Sequence, residues 1–152
     1  MKRLLRTLPL LLLMACSSSG FSDAQLLPAD SEVQLEIVGT DFPMLTRADE
    51  RAPATVQIEV TNNSDADITI KTIRVEPQMS MRDDTNQIDA GSISVNAVVG
   101  EGKDARFRVS MMVQRTSSMT AGGYRGDISL RVVAYLDDGR AYYAEFSVPS
   151  QL

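Results

Sequence analysis

The amino-acid sequence predicts an all-β fold: an antiparallel sandwich of about seven strands, behind a signal peptide and a flexible tether. Three observations carry that reading. Apolar residues recur with a period of two in run after run. No stretch shows a convincing amphipathic-helix period. Turn-forming Gly, Asn and Asp residues stand between the runs.

The first element is an address. Lys2, Arg3 and Arg6 form a basic start with no acid before residue 16, and Leu8–Ala15 reads LPLLLLMA. Eight apolar residues are too few to span a bilayer, which takes about 20, and they match the apolar region of a signal peptide. The small residue Ala15 then precedes Cys16, the chain's one cysteine. Residues 1–15 are therefore set aside from fold reasoning as a signal peptide. An ordinary secretory peptide with an incidental Cys is the alternative.

Residues 16–31 contain Ser17–Ser31, SSSGFSDAQLLPADS, with Gly20 and Pro28 and no sustained period. This composition suits a flexible tether. Phe21, Leu26 and Leu27 are its apolar residues, candidates to dock on the membrane or on the domain that follows.

Residues 32–152 hold the strand candidates. Val33, Leu35 and Ile37 alternate with Glu32, Gln34 and Glu36, and Val56, Ile58 and Val60 alternate with Gln57, Glu59 and Thr61. Ile68 and Ile70 continue as Ile73 and Val75 after a one-residue shift, which is the signature of a β-bulge or a strand changing sheets. Ile93 and Val95 follow, then Phe107, Val109, Met111 and Val113. The longest run is Ile128, Leu130, Val132, Ala134 and Leu136, and Tyr142, Ala144, Phe146 and Val148 close the chain.

The last two runs flank Asp137-Asp138-Gly139. A three-residue loop with Gly139 in the left-handed conformation pairs Ile128 with Val148, Leu130 with Phe146, Val132 with Ala144 and Ala134 with Tyr142. Arg131 then faces Glu145 on the other side. A two-residue loop would turn Glu145 toward the core, at a high desolvation cost.

Two stretches carry family resemblances. Leu13-Met14-Ala15-Cys16 resembles the bacterial lipobox, in which a Leu, a variable residue and a small residue precede an invariant Cys; Met14 stands where a small or β-branched residue is usual. The resemblance implies a diacylglycerol on the Cys16 thiol (a palmitate-type anchor), cleavage before Cys16, and acylation of the new amino group. It implies a lipoprotein in the cell envelope. With Ser17 rather than Asp after the Cys, it implies the outer membrane, facing the periplasm. Two or three chains on one residue anchor stably where a single chain does not. An acylated Cys16 also leaves no thiol for a disulfide, so the domain must be stable by packing alone. The second resemblance lies in VQIEVTNNSDADITI at 56–70 and GGYRGDISLRV at 122–132, which are similar to bacterial immunoglobulin-like domains, with Tyr124 placed like a tyrosine corner. It implies an Ig-like β-sandwich over residues 32–152 and no particular activity.

Composition narrows the function classes. There is no His and no Trp among 152 residues, so Ser-His-Asp and Cys-His catalysis within the chain is impossible. Removing Lys2, Arg3 and Arg6 leaves 12 basic against 20 acidic residues in 16–152. Such an acidic domain lacks the clustered Lys and Arg that bind phosphates, so no nucleic-acid partner is expected. No catalytic residues are assigned, and no enzyme activity, small-molecule substrate, metal or cofactor is expected beyond the covalent lipid on Cys16. Lys103 with Ser110 or Ser117 is the best imaginable dyad, supported only by sequence proximity. The ligand-binding alternative is Cu(I), for which Met79, Met81, Met111, Met112 and Met119 offer soft thioethers, or a glycan, for which aromatic platforms are scarce. Asp83, Asp84, Asn86 and Asp89 offer oxygens suited to Ca²⁺ but lack an EF-hand spacing and read as a polar loop.

The favoured binding site is a surface. In the hairpin register, Val133, Tyr135 and Tyr143 project outward from the final two strands as a candidate apolar patch for a protein partner. The apolar residues of the tether are an alternative cover for it. The expectation is an envelope lipoprotein held to the bilayer through Cys16 and presenting an Ig-like domain to an envelope protein, as an accessory subunit of an assembly.

Overall fold

The computed structural model describes residues 25–26, 31–78, 86–115 and 126–150. Cys16, Phe21, Leu27, Met79, Met81, Asp83, Asp84, Ser117, Met119 and Tyr124 lie outside the described residues. The described residues form strands β1 (Gln25–Leu26), β2 (Val33–Asp41), β3 (Arg51–Asn62), β4 (Ile68–Pro77), β5 (Asn86–Asp89), β6 (Gly91–Val99), β7 (Asp104–Arg115), β8 (Gly126–Leu136) and β9 (Ala141–Ser150). They build two sheets, in the orders β1-β9-β8-β4-β6 and β2-β3-β7-β5. Every pairing is antiparallel except that of β1 with β9, which is parallel.

The seven expected strands are present as β2, β3, β4, β6, β7, β8 and β9. The spatial orders β2-β3-β7-β5 and β9-β8-β4 are similar to the A-B-E-D and G-F-C sheets of an immunoglobulin sandwich, but β6, which pairs with β4 where a C′ strand would lie, follows β5 in the chain instead of preceding it. The two strands the sequence reading omitted are short, and both sit at sheet edges. β1 lies inside the segment read as a tether. β5 is the polar stretch read as a loop: Asn86–Asp89 pairs with Arg115–Met112 of β7, and Asp89 accepts from Arg51 at 3.4 Å and from Gln87 at 3.1 Å. Of its four residues only Ile88 is apolar, so an edge position, which needs little apolar area, hides it from a periodicity argument.

Alternation fixes the inner faces. Val56, Ile58 and Val60 of β3 and Val109, Met111 and Val113 of β7 meet Ile70, Ile73 and Val75 of β4 and Leu130, Val132 and Ala134 of β8 in one buried cluster. Each such Val, Ile or Leu contributes about 1.5–3 kcal/mol on burial. The expected shift in β4 is a bulge: register slips between Ile70 and Thr72 against both β6 and β8. On β6 the mismatch is absorbed at Asn96, whose φ is +47°.

The final hairpin has the anticipated register, from Ile128 opposite Val148 to Ala134 opposite Tyr142. Leu136 donates its N–H to the Arg140 carbonyl at 2.8 Å, and Gly139 has φ +88°, so residues 137–139 form the loop. The Asp138 carboxylate accepts from the Arg140 N–H at 2.9 Å and from Arg140 Nε at 2.6 Å, which holds Asp138 below the usual carboxylate pKa range.

Two buried polar side chains close the ends of the sandwich. Asn62 continues the inward series of β3 and is fully buried. Its Nδ2 donates to the carbonyls of Ala66 (2.8 Å) and Val99 (2.9 Å), and its Oδ1 accepts from the N–H (3.0 Å) and Oγ (2.6 Å) of Ser64. It thus joins the end of β3, the β3–β4 turn and the end of β6. At the other end Arg115 continues the inward series of β7, and its Nη1 donates to the carbonyl of buried Leu45 at 2.7 Å. The turn after Leu45 is held by Glu50 Oε2, which accepts from the N–H groups of Thr46 (2.8 Å) and Arg47 (2.9 Å).

Candidate interaction face

The outer face of the β8–β9 hairpin presents the odd-numbered residues of both strands, continued on β4 by Thr72, Arg74 and Glu76. Val133 stands opposite Tyr143 on one side and Arg74 on the other. Arg131 bridges to Glu145, with Nη2 at 2.8 Å and Nε at 3.3 Å from Oε1. Its guanidinium also lies 4.6 Å from the Tyr143 ring centroid. The hydrogen bond to Glu145 is the main reason the Arg131 pKa is raised. Arg74 Nε approaches Glu76 Oε1 at 2.7 Å.

This arrangement corrects the expected patch. Val133 points outward, and it lies outside the main core cluster, yet it is only 1% exposed. The long side chains around it, Arg74, Arg131, Tyr135 and Tyr143, shield it on a flat sheet where neighbours stand about 5 Å apart. Tyr135 and Tyr143 are half-buried. The face is therefore a mixed tyrosine–arginine–glutamate surface rather than an open apolar strip. Sequence reasoning named its tyrosines and valine but passed over Arg74 and Glu76, because Arg74 meets Val133 only through a β4 register that depends on the bulge.

The neighbouring edge is occupied. Gln25 and Leu26 pair with Tyr142 and Tyr143 on β9. Leu26 remains 59% exposed, so its backbone docks while its side chain stays at the surface. Arg140 ties this corner to the start of β2, with Nη1 at 3.2 Å from the Tyr142 hydroxyl and 3.4 Å from Glu32 Oε2. Exposed ion pairs of this kind contribute about 0–1 kcal/mol each.

The other candidate sites are placed as follows. Met111 is buried in the core while Met112, on the opposite face of β7, is 39% exposed, so these two thioethers cannot share one metal ion. Lys103 precedes β7 and Ser110 lies seven residues on, about 23 Å along an extended strand, so they form no dyad. Among the described residues there is no group of three or more His, Cys, Asp or Glu side chains placed to hold a metal ion. No helix of the described residues is long and apolar enough to cross a membrane.

No protein-family model matches the chain, and no curated relative matches it. Among solved structures, the chain is similar to a FixG-related protein from Vibrio parahaemolyticus (11% identity, 80% of this chain and 99% of that chain, TM-score 0.41). It is similar to the human F-spondin reeler domain (9% identity, 86% and 96%, TM-score 0.40). It is also similar to a conjugative transposon lipoprotein from Bacteroides eggerthii (12% identity, 76% and 95%, TM-score 0.33). Likeness at this level assigns no function.

Proposed function

We propose that this protein is a non-enzymatic envelope lipoprotein, acylated at Cys16 and held at a membrane facing the periplasm, whose Ig-like sandwich contacts another envelope protein through the outer face of β8 and β9. The observation that supports the anchor is the order basic start, apolar Leu8–Ala15, Ala15-Cys16, then SSSG. Each part has its own role: the basic start sets orientation, the short apolar run engages the export machinery, and Cys16 carries the lipid. The observation that supports the contact face is its residue content. Tyr and Arg side chains, partly buried and pre-positioned by mutual ion pairs and stacking, are the types enriched in protein interfaces.

The experiment is the intact mass of the mature protein extracted from membranes. A chain beginning at Cys16 with two or three acyl chains is expected, and Cys16→Ala should leave an unprocessed, unacylated protein. A mature chain that starts elsewhere, or carries no lipid, overturns the anchor. For the face, photo-crosslinking from Tyr135 in whole cells should capture an envelope protein, and Arg131→Ala with Tyr143→Ser should abolish the adduct. Capture unchanged by that pair of substitutions removes the face from the proposal.

A further inference from the structure

Exposed sheet edges are templates for strand pairing, and folded proteins protect them with charge, proline, bulges or a covering segment. Three of the edges here follow that rule. β2 carries Glu36 and Asp41. β5 carries Asp89, paired with Arg51. β9 carries Glu145 and Pro149 and is covered by β1. The fourth edge, β6, does not. From Ala90 to Gly100 the sequence AGSISVNAVVG has neither a charge nor a proline, in a chain where 23% of residues are charged. β6 pairs with β4 on one side, and among the described residues no strand lies on its other side. Its outward residues Ser92, Ser94 and Asn96 are exposed, and Val98 is 64% exposed. Its inward residues Ile93 and Val95 pack on the core yet are only partly buried. Among the described residues, the one protective device on this strand is the kink at Asn96.

We propose that β6 is a self-association edge, at which a second copy of this chain pairs antiparallel, β6 to β6, about a two-fold axis. Charge selects this occupant. The domain is acidic overall, so two copies repel at most approaches, and the other edges would bring carboxylates together. β6 is the edge where identical strands meet without a like-charge pair, as a two-fold contact requires. The alternation is also self-complementary. Antiparallel pairing keeps Ile93 and Val95 of each copy on the inner face, where each covers the other's partly exposed apolar surface, and it sets Ser92 and Ser94 side by side outside. The result is one sheet of ten strands, ending at β1 in each copy, within the usual size of open sheets. The Asn96 kink limits the flat pairing segment to the Gly91–Val95 end, and two-fold closure stops growth at two copies.

The test is oxidative crosslinking of the full-length protein in isolated envelopes. Pairing about an axis at Ile93 sets Ser92 of one copy opposite Ser94 of the other, so the Ser92→Cys and Ser94→Cys chains produced together should give a disulfide-linked species at twice the protomer mass. Ser147→Cys on β9, an exposed position three strands away from this edge, should not. The unsubstituted chain is the control for Cys16: an acylated Cys16 gives no dimer, and a dimer in that lane indicts the anchor reading and leaves the edge reading to the reduced-background comparison in a Cys16→Ala chain. As a second readout, Ser94→Lys places two ammonium groups across the axis and should convert a dimer to a monomer in light scattering of detergent-solubilised protein. Ser94 is exposed, so this substitution leaves the core intact. A monomer before substitution, no crosslink between the two β6 positions, or a β6 crosslink to a different protein overturns the proposal.

Discussion

Replacing Asn62 with alanine tests whether one buried amide holds an end of the sandwich together. The side chain makes four hydrogen bonds, to the carbonyls of Ala66 and Val99 and from the N–H and Oγ of Ser64. Three of them involve partly exposed groups, which water can rehydrate once the amide is gone, so each loss costs at most about 0.5–1 kcal/mol. The fourth differs. The bond from Nδ2 to the Val99 carbonyl is buried, and truncation strands that acceptor at a cost of about 1–3 kcal/mol. The cavity adds little, because the amide is small and sits at the end of the core rather than its middle. With the three smaller losses together at most about 1.5–3 kcal/mol, the sum is about 2.5–6 kcal/mol, a large share of the roughly 5–15 kcal/mol typical of a domain. At a few degrees per kcal/mol, the melting temperature should fall by about 8–20 °C. Urea unfolding followed by far-UV circular dichroism measures this, with the midpoint moving and the slope unchanged. Asn62→Asp should be at least as damaging at neutral pH, since a carboxylate facing two carbonyl oxygens offers no donor. A loss below about 1 kcal/mol for Asn62→Ala would refute the claim that this network carries the turn, and Asn62→Asp matching the wild type would refute its hydrogen-bond polarity.

Gly91→Ala should destabilise strongly, by more than about 2 kcal/mol, because a Cβ there would lie 2.3 Å from the Ser110 carbonyl oxygen and 2.8 Å from Met111 Cγ, and the backbone on β7 cannot yield as a side-chain tip could; chemical denaturation reads the loss. Backbone N–H bonds from Arg47 and Thr46 hold the Glu50 pKa below its ordinary value. Its contribution is therefore complete above the unfolded carboxylate value, about pH 4.3, and fades as pH falls through the lower folded value. The stability gap between wild type and Glu50→Ala should narrow on acidification over that window and stay level from pH 6 to 8, and a gap that widens toward low pH contradicts the assignment. Leu26→Pro should abolish β1 pairing while leaving the melting temperature nearly unchanged, so hydrogen exchange should quicken at β9 amides near Tyr143 and nowhere in β3 or β7. Val133→Ala should cost about 1–2 kcal/mol although Val133 lies on an outer face, because its methyl groups are buried there; a negligible loss in chemical denaturation would mean the arginine and tyrosine shield opens freely.

The β8–β9 register was readable because a single side chain decided it. Shifting by one residue would have buried Glu145, and the Asp-Asp-Gly loop chemistry agreed with the alternative that kept it outside. The β4 bulge was readable for a related reason, since the apolar period itself breaks between Ile70 and Ile73. β5 was not readable, because a short edge strand buries one apolar residue and leaves no period to detect. Asn62 and Arg115 lie on the inward periods of β3 and β7, so counting by twos one step past the last apolar residue would have placed them inside. Polarity argued against that, and hydrogen bonds to partners such as the carbonyls of Val99 and Leu45 offset the burial. The same limit applies to Val133: alternation gives the face on which a side chain lies, whereas burial on that face depends on arginine and tyrosine side chains from three strands.

The two free sides of the β1-β9-β8-β4-β6 sheet are handled by opposite means, and that asymmetry links sequence to assembly. At β9 the chain carries Glu145 and Pro149 and then adds its own residues Gln25 and Leu26 as a further strand. That edge is charged, bears a proline and is paired in cis at Tyr142 and Tyr143, which leaves the side chains of the β8–β9 face as its contact surface. At β6 there is neither charge nor proline, and among the described residues no strand pairs on its outer side. The two surfaces therefore call for different chemistries. The hairpin face offers directional ion pairs and rings, suited to a distinct partner, while β6 offers main-chain hydrogen bonds with no charge code, which any neutral strand can accept and an identical strand accepts symmetrically. The Ser94→Lys and Arg131→Ala variants should consequently fail independently: the first should lose self-association and keep the partner adduct, and the second should do the reverse. If either substitution removed both, one surface would serve both contacts, and the division drawn from edge charge would be wrong.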